Sequence, residues 1–241
     1  MMKCFKTMIV LCMLVGAISA IGAESMYTVW KANKWTVEPT IAAYDAGEIT
    51  KDDLSFVLYQ TMKFCVGDIT AQELWDIIEA PKYEKLLSTI CWEVYPRIVM
   101  ADKDSDVSKL VLAKIAKLKE TNISCYHMAM CRIGATIGNY EAGLDSSIAI
   151  CSVSKIALYA SYISGEEVYT KLIDYLLSHD LSADRTNKLL NIVIKNSLSM
   201  DTDQVAKDFK LLKRKYMINL ATDKAAWEKV IVGIELTLKA L

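Results

Sequence analysis

Two cysteines and a histidine within one short stretch are the residues of this sequence with the most direct chemical potential. Cys125, His127 and Cys131 lie close together, with Met128 and Met130 between them. Thiolate, imidazole and thioether groups are ligands that soft metal ions such as copper prefer. His127 and Cys131, four residues apart, would share one face of a helix. A copper or zinc carrier is therefore one hypothesis, although no complete ligand set is present; the alternative is that these side chains simply pack in helix interfaces.

The cysteines could also form disulfide bonds. Five of the 7 cysteines follow residue 23, which permits at most two bridges and leaves one free thiol. Cys65 and Cys91 lie on helices that we expect to be neighbours, and they are the predicted pair. Cys125 and Cys131 cannot bridge within one straight helix, because six residues rise about 9 Å along its axis.

An aspartate-rich turn resembles the start of a calcium loop but does not complete it. Asp102, Asp104 and Asp106 alternate as the first ligands of such a loop would. Val107 and Ala113 stand where the loop requires glycine and glutamate. We expect a solvated turn whose last aspartate caps the next helix.

The remaining candidate groups predict no catalytic machinery. His179 falls in the last turn of a predicted helix, where its charge would complement the helix dipole. Glu166 and Glu167 lie at a helix start, where acidic residues stabilise the free N–H groups. Neither a nucleophile elbow nor a glycine-rich phosphate loop is present in the sequence. Catalytic residues therefore stay unassigned, and no cofactor is predicted.

The elements that position these residues are predicted to be helices. From Pro39 onward, apolar residues recur every three or four positions. Thr70 and Glu73 have the spacing of a capping box, and Pro96 is expected to kink or end the helix that Pro81 begins. The predicted helices cover residues 39–46, 50–67, 106–120, 124–140, 145–163, 166–178, 183–199, 203–220 and 223–240, with two more opening at residues 70 and 81.

The predicted fold is all-α, with about 8–10 helices in an irregular bundle or a short array of helical hairpins. Helix openings near residues 70, 107, 145, 183 and 222 favour the array, since their spacing of about 38 residues fits one hairpin plus turns. Residues 39–241 are predicted to form a single domain.

The N-terminal residues indicate export. Lys3 and Lys6 precede an apolar run that begins at Met8 and ends in small residues, the pattern of a secretory signal peptide over residues 1–23. We expect cleavage, no stable membrane span afterwards, and a periplasmic or extracellular protein. Residues 24–38, which include Trp30 and Trp35, are predicted to form an extended arm.

Composition narrows the classes of partner. The 9 glycines and 3 prolines among 241 residues disfavour many-stranded β folds. A net charge of −1 lacks the basic excess that binding nucleic acid requires. Cations do cluster on the penultimate helix, where they could meet an anionic partner or form a solvated face: Lys207, Lys210, Lys213, Arg214 and Lys215.

Three functional hypotheses follow. The leading one is an exported, non-enzymatic helical protein that binds another protein or serves a structural role. The second is a helical enzyme or small-ligand binder whose site is assembled from distant residues; His127 or His179 beside two carboxylates would indicate it. The third is a metal carrier that uses Cys125, His127 and Cys131.

Overall fold

The computed structural model describes residues 50–241, together with Gly47, and this part of the chain is helical without strands. The all-α prediction is confirmed for these residues. The predicted signal peptide (1–23), the arm (24–38) and the short helix 39–46 lie outside them. Two compact units are present, here called unit 1, which ends at Asn139, and unit 2, which begins at Tyr140; the predicted domain 39–241 spans both.

The helices of the described residues are numbered in chain order. They are α1 (Lys51–Val66), α2 (Ala71–Ile78), α3 (Tyr95–Ala101), α4 (Asp106–Thr121), α5 (Ile123–Ile133), α6 (Tyr140–Ala149), α7 (Val153–Tyr159), α8 (Gly165–Ser178), α9 (Ala183–Asn196), α10 (Thr202–Met217) and α11 (Lys224–Ala240). Short 3-10 helices follow α9 (Ser197–Ser199) and α10 (Ile218–Ala221). No helix in this part of the chain is long and apolar enough to cross a membrane.

The first two helices begin as the sequence predicts. The Thr50 side chain accepts a hydrogen bond from the Asp53 N–H at the start of α1. Gly67 ends α1 with a φ of 86°, a left-handed conformation that glycine adopts without a Cβ clash. At the start of α2, Thr70 and Glu73 exchange both hydrogen bonds of the predicted capping box.

A composite helix joins α2 to α3. It starts at Pro81 as predicted, with a 3-10 helix (Pro81–Leu86) and one α-helical turn (Leu87–Thr89). A π-helical stretch (Ile90–Val94) then runs directly into α3, so that Pro96 lies in the first turn of α3. Because the helix is continuous across this junction, the missing N–H of proline leaves one preceding carbonyl without its usual helical donor.

Helices α4 and α5 complete unit 1 by packing on α3 and on the π-helical stretch. The cap of α4 is Ser105, whose hydroxyl accepts from the Ser108 N–H; the prediction that Asp106 is the cap was wrong by one residue. Helix α5 ends at Ile133, earlier than predicted, and the following turns close at Gly138 with a φ of 73°.

Unit 2 is built from three consecutive helical hairpins, which open at residues 140, 165 and 202 and not at the predicted 145, 183 and 222. Within unit 2, α6 packs on α7, α8 on α9, and α10 on α11. The second and third hairpins stack in parallel order, with α8 against α10 and α9 against α11. Lys171 of α8 also pairs with Asp145 of α6 at 2.5 Å, an ion pair between the first two hairpins.

The predicted helix 145–163 is divided into α6 and α7 by a turn at Cys151. The Cys151 N–H donates to Ile148 O and the Ser152 N–H to Ser147 O, the two bonds of a Schellman motif. Cys151 occupies the position usually taken by glycine, with a φ of 52°. The turn lets α7 fold back on α6, where the buried ring of Tyr159 lies against Gly143.

Candidate functional site

The composite helix of unit 1 places an unusual set of polar groups beside α5. In a regular α-helix the N–H of residue 96 would donate to the carbonyl of Trp92, but proline has no N–H. Arg132 of α5 takes its place, since its Nη1 donates to that carbonyl at 2.6 Å. The guanidinium also lies over the Trp92 ring, 5.1 Å from its centroid. Arg132 of α5 thus supplies the donor that the Trp92 carbonyl lacks within its own helix.

One carboxylate lies between this arginine and a second one. Glu93 lies 3.6 Å from Arg132 and accepts a hydrogen bond from Arg97, which also donates to the Glu93 carbonyl. Burial lowers the pKa of Arg132, and Glu93 opposes that effect. Cys65 of α1 interacts with Arg97, while partial burial raises the pKa of its thiol. The cluster is a structural anchor in which the cations outnumber the carboxylate.

A pair of buried thiols lies in the same region. Cys91 of the π-helical stretch is fully buried and Cys125 of α5 is 3% exposed. Interaction with the Cys125 thiol, together with burial, raises the pKa of Cys91, and interaction with Cys91 lowers the pKa of Cys125. Both cysteines are free thiols.

Cys125 lies in the first turn of α5, where its backbone N–H donates to the Asn122 side chain. A helix N-terminus stabilises negative charge, so this position favours the same lowering of the Cys125 pKa that Cys91 causes.

A partly buried chain of polar side chains includes Tyr95, close to Cys91. The Tyr95 hydroxyl donates to Glu79 Oε1 at 3.2 Å, and Lys114 Nζ donates to the other oxygen of that carboxylate. Burial, followed by the nearby Glu79 and Cys91, raises the pKa of Tyr95. Tyr95 is therefore neutral at physiological pH.

The predicted metal ligands are not brought together as a set. Cys125 interacts with Cys91, and Cys131 is fully buried in the core of unit 1. His127 is half-buried, with its ring edge-on to Tyr126 at 5.4 Å. Among the described residues no group of three or more His, Cys, Asp or Glu side chains could hold a metal ion. The metal-carrier hypothesis gains no geometric support.

The two cysteines of the predicted disulfide bond have different neighbours. All five described cysteines are free thiols, with Cys65 exposed beside Arg97 and Cys91 buried beside Cys125. The Cys65–Cys91 bridge stays a prediction, but in the structure Cys91 interacts with Cys125. Sequence reasoning missed this interaction because it joins segments far apart in the chain.

His179, the second histidine, ends α8. Its Nδ1 lies 3.1 Å from Tyr175 O and 2.9 Å from Ser178 Oγ, and its ring stacks on Tyr175 with centroids 4.1 Å apart. These contacts fix the imidazole against the C-terminal end of the helix, as predicted. They are the contacts of a capping residue.

The basic cluster of α10 separates into two groups. Lys213 pairs with Glu235 of α11 at 2.7 Å. Lys215 donates to the carbonyls of Leu176, Leu177 and His179, and so caps the end of α8. Lys213 therefore joins the two helices of the third hairpin, and Lys215 joins that hairpin to the second.

The other three cations belong to an exposed face of α10. Lys207, Lys210 and Arg214 are exposed and lie opposite the buried stripe of the helix. Apolar side chains alternate with them: Leu211 is 46% exposed, Met217 49% and Ile218 76%. We call these six residues the α10 face, in which Ile218 belongs to the 3-10 helix that follows α10. Between residues 207 and 218 the sequence has a single acidic residue, Asp208, and its side chain is buried.

A buried carboxylate that the sequence reading did not identify lies on the other side of α10. Asp208 Oδ2 accepts from the Tyr169 hydroxyl at 3.0 Å, and its Oδ1 accepts from Gln204 at 2.9 Å. Burial and this carboxylate raise the pKa of Tyr169. The signal was present in the sequence, since Asp208 interrupts the apolar stripe of Val205, Phe209 and Leu212.

Removing this carboxylate should destabilise unit 2. We expect Asp208→Ala to lower the free energy of unfolding by about 2 kcal/mol, because the buried Tyr169 hydroxyl loses its acceptor. Urea unfolding followed by circular dichroism measures the change. Asp203→Ala, in the exposed first turn of the same helix, is the control and should cost only a few tenths of a kcal/mol. Equal costs for the two variants would contradict a role for the buried hydrogen bond.

Comparison with known proteins gives no assignment. The chain matches no protein family, no curated protein and no solved structure. The functional proposal therefore rests on the chain's own residues.

Proposed function

We propose that the protein is a non-enzymatic binding module, exported from the cell, that recognises another protein through the α10 face. The observation that carries the proposal is the make-up of this face, in which three cations alternate with three exposed apolar side chains. A solvated helix face needs the cations but has no need of Leu211, Met217 and Ile218.

The stacked hairpins support the proposal by fixing the face in position. Lys215 and Tyr216 of α10 both donate to carbonyls at the end of α8, the latter to Leu176 O at 2.8 Å. Lys213 joins α10 to Glu235 of α11. Because α10 is held against both α8 and α11, its backbone loses little conformational entropy when a partner binds. A small entropic cost favours affinity.

Charge complementarity defines the partner that fits. Lys207, Lys210 and Arg214 favour carboxylates, and the apolar side chains between them need apolar contacts. An amphipathic protein segment with Asp or Glu beside its apolar stripe supplies both. The proposed partner is therefore a protein with an acidic amphipathic helix.

Capture of partners with matched variants tests the proposal. The purified chain is immobilised and exposed to an extract of the cells that produce it, and bound proteins are identified by mass spectrometry. The test variants are Lys210→Glu/Arg214→Glu and Leu211→Asp. The control is Lys117→Glu/Lys119→Glu on the exposed side of α4 in unit 1, which changes the net charge by as much as the double test variant does.

We expect one stoichiometric partner that the control variant retains. Each test variant should weaken its binding at least about tenfold, the equivalent of about 1.4 kcal/mol. Equal capture by all variants would overturn the proposal. Binding to vesicles of anionic lipid, without a protein partner, would also overturn it, since it would assign the face to a membrane surface.

A further inference from the structure

An exposed connection in unit 1 carries a sequence motif that the α10 face does not involve. Asn122, Ile123 and Ser124 form the pattern Asn-X-Ser, with X other than proline, which is the acceptor motif for N-linked glycosylation. No other asparagine of the sequence is followed two positions later by serine or threonine. Because so short a motif also arises by chance, its place in the fold decides whether it can hold a sugar.

The motif lies where α4 ends and α5 begins. Asn122 is the residue between the two helices, and its N–H donates to Leu118 O at 2.8 Å as the last turn of α4 closes. Asn122, Ile123 and Ser124 are all exposed, whereas the next side chain, Cys125, is 3% exposed. The acceptor side chain therefore lies at the surface, where a bulky oligosaccharide can be accommodated.

The hydrogen bond of the Asn122 side chain is compatible with the modification. Its Oδ1 accepts from the Cys125 N–H at 3.1 Å and so caps the start of α5. A sugar would be attached to the other terminal atom of the amide, Nδ2. Since a glycosylated asparagine keeps its carbonyl group, Oδ1 continues to accept and the helix stays capped.

We propose that Asn122 is N-glycosylated when the chain is exported. The proposal rests on the export that the proposed function includes, but not on the α10 face. The donor is an oligosaccharide linked to a polyprenyl diphosphate. Nδ2 forms a bond to C1 of the first sugar while the bond between C1 and the diphosphate oxygen breaks. Nδ2 gives up one proton, and the polyprenyl diphosphate leaves.

A glycan at this position would also change the surface of unit 1. Ile123, directly beside the attachment site, is an apolar side chain that is 48% exposed. A hydrated oligosaccharide covers such a side chain and keeps the surface soluble. Its bulk would also prevent the connection between α4 and α5 from serving as a protein interface.

Peptide mapping of the natural protein tests the proposal. The chain is purified separately from the cytoplasm of the cells that produce it and from outside that cytoplasm, and is digested with trypsin. Asn122 then falls in peptide 120–132, which contains no other asparagine. We expect this peptide from the exported chain with the mass of an oligosaccharide added. Asn139 is also exposed but is followed two positions later by Glu141, and it should stay unmodified.

Three variants separate the sugar acceptor from the helix cap. Ser124→Ala removes the hydroxyl group of the motif and should abolish the added mass, while Ser124→Thr should retain it. Asn122→Asp keeps an oxygen that can cap α5 but has no amide nitrogen. It should therefore lose the added mass without a loss of helical circular dichroism.

Each contrary outcome can be told apart from a failure of the α10 face. Unmodified peptide 120–132 in the exported chain would overturn the glycosylation proposal, whatever the capture experiment gives. Recovery of the chain from the cytoplasm alone would overturn it together with the export on which it rests. An added mass that survives in Ser124→Ala would also contradict it, since the sugar would then not depend on the motif.

Discussion

Gly143→Ala is expected to be among the most damaging single-methyl additions in unit 2. A Cβ at this position would lie 2.3 Å from Cε1 and Cζ of the Tyr159 ring. Tyr159 is fully buried, so its ring cannot move aside without disturbing the hairpin of α6 and α7. We expect a loss of about 3–4 kcal/mol in the free energy of unfolding. This is at or above the upper end of the range of costs typical of overpacked cores.

Gly233→Ala is the matched control, and it should act in the opposite direction. Gly233 lies inside α11, and a Cβ there would meet only Leu190 Cδ2 at an ordinary 3.5 Å. Alanine restricts the unfolded chain and favours the helix, so we expect a gain of about 0.5–1 kcal/mol. Urea unfolding of both variants measures the contrast.

A double-variant cycle identifies the cause of the Gly143 effect. In a Tyr159→Leu background the ring is gone, and Gly143→Ala should then cost little or even stabilise α6. If Gly143→Ala cost the same in both backgrounds, the Tyr159 contact would not be its cause.

The features predicted correctly from sequence are those in which a few neighbouring residues determine the backbone. Thr50, Gly67 and the Thr70–Glu73 pair fix helix ends by hydrogen bonds within a few residues. The same reasoning extended α5 too far, because it read through Gly138, which closes a turn with a positive φ.

Other features depend on contacts between distant segments. The break at Cys151 was not predicted because glycine is the usual residue at that position of a Schellman motif. The π-helical stretch likewise has no local signature beyond Pro96, and its support comes from Arg132 on another helix. The interaction between Cys91 and Cys125 arises from the same packing of the composite helix on α5, which periodicity cannot specify.

The cations of α10 likewise show what the sequence can place on a helix face and what only contacts with other helices reveal. A helical projection of α10 is sufficient to place Lys207, Lys210 and Arg214 opposite the buried stripe. It does not reveal that Lys213 and Lys215 are occupied by Glu235 and by the end of α8. Partners on other helices therefore decided which cations of the predicted basic cluster remain available for binding.

Arg132→Met is the second substitution with a large expected effect. It removes the hydrogen bond to the Trp92 carbonyl, the ion pair with Glu93 and the contact with the Trp92 ring. The partly buried Trp92 carbonyl would lose its donor, and Glu93 would keep Arg97 as its one cationic partner, so we expect a loss of about 3 kcal/mol in the free energy of unfolding. Arg132→Lys keeps the charge but not the planar fork, and it should recover only part of the loss.

Pro96→Ala tests whether Arg132 compensates for the missing N–H. Alanine restores a donor at residue 96, which allows the chain to satisfy the Trp92 carbonyl within the helix. Arg132→Met should then cost about 1 kcal/mol less in the Pro96→Ala background than in the natural sequence. Additive costs would show that Arg132 stabilises unit 1 only through Glu93 and the Trp92 ring.

Lys188→Ala is the control for the loss of a surface ion pair. It breaks an exposed i,i+4 pair with Asp184 and should change the free energy of unfolding by no more than about 0.5 kcal/mol in the same assay.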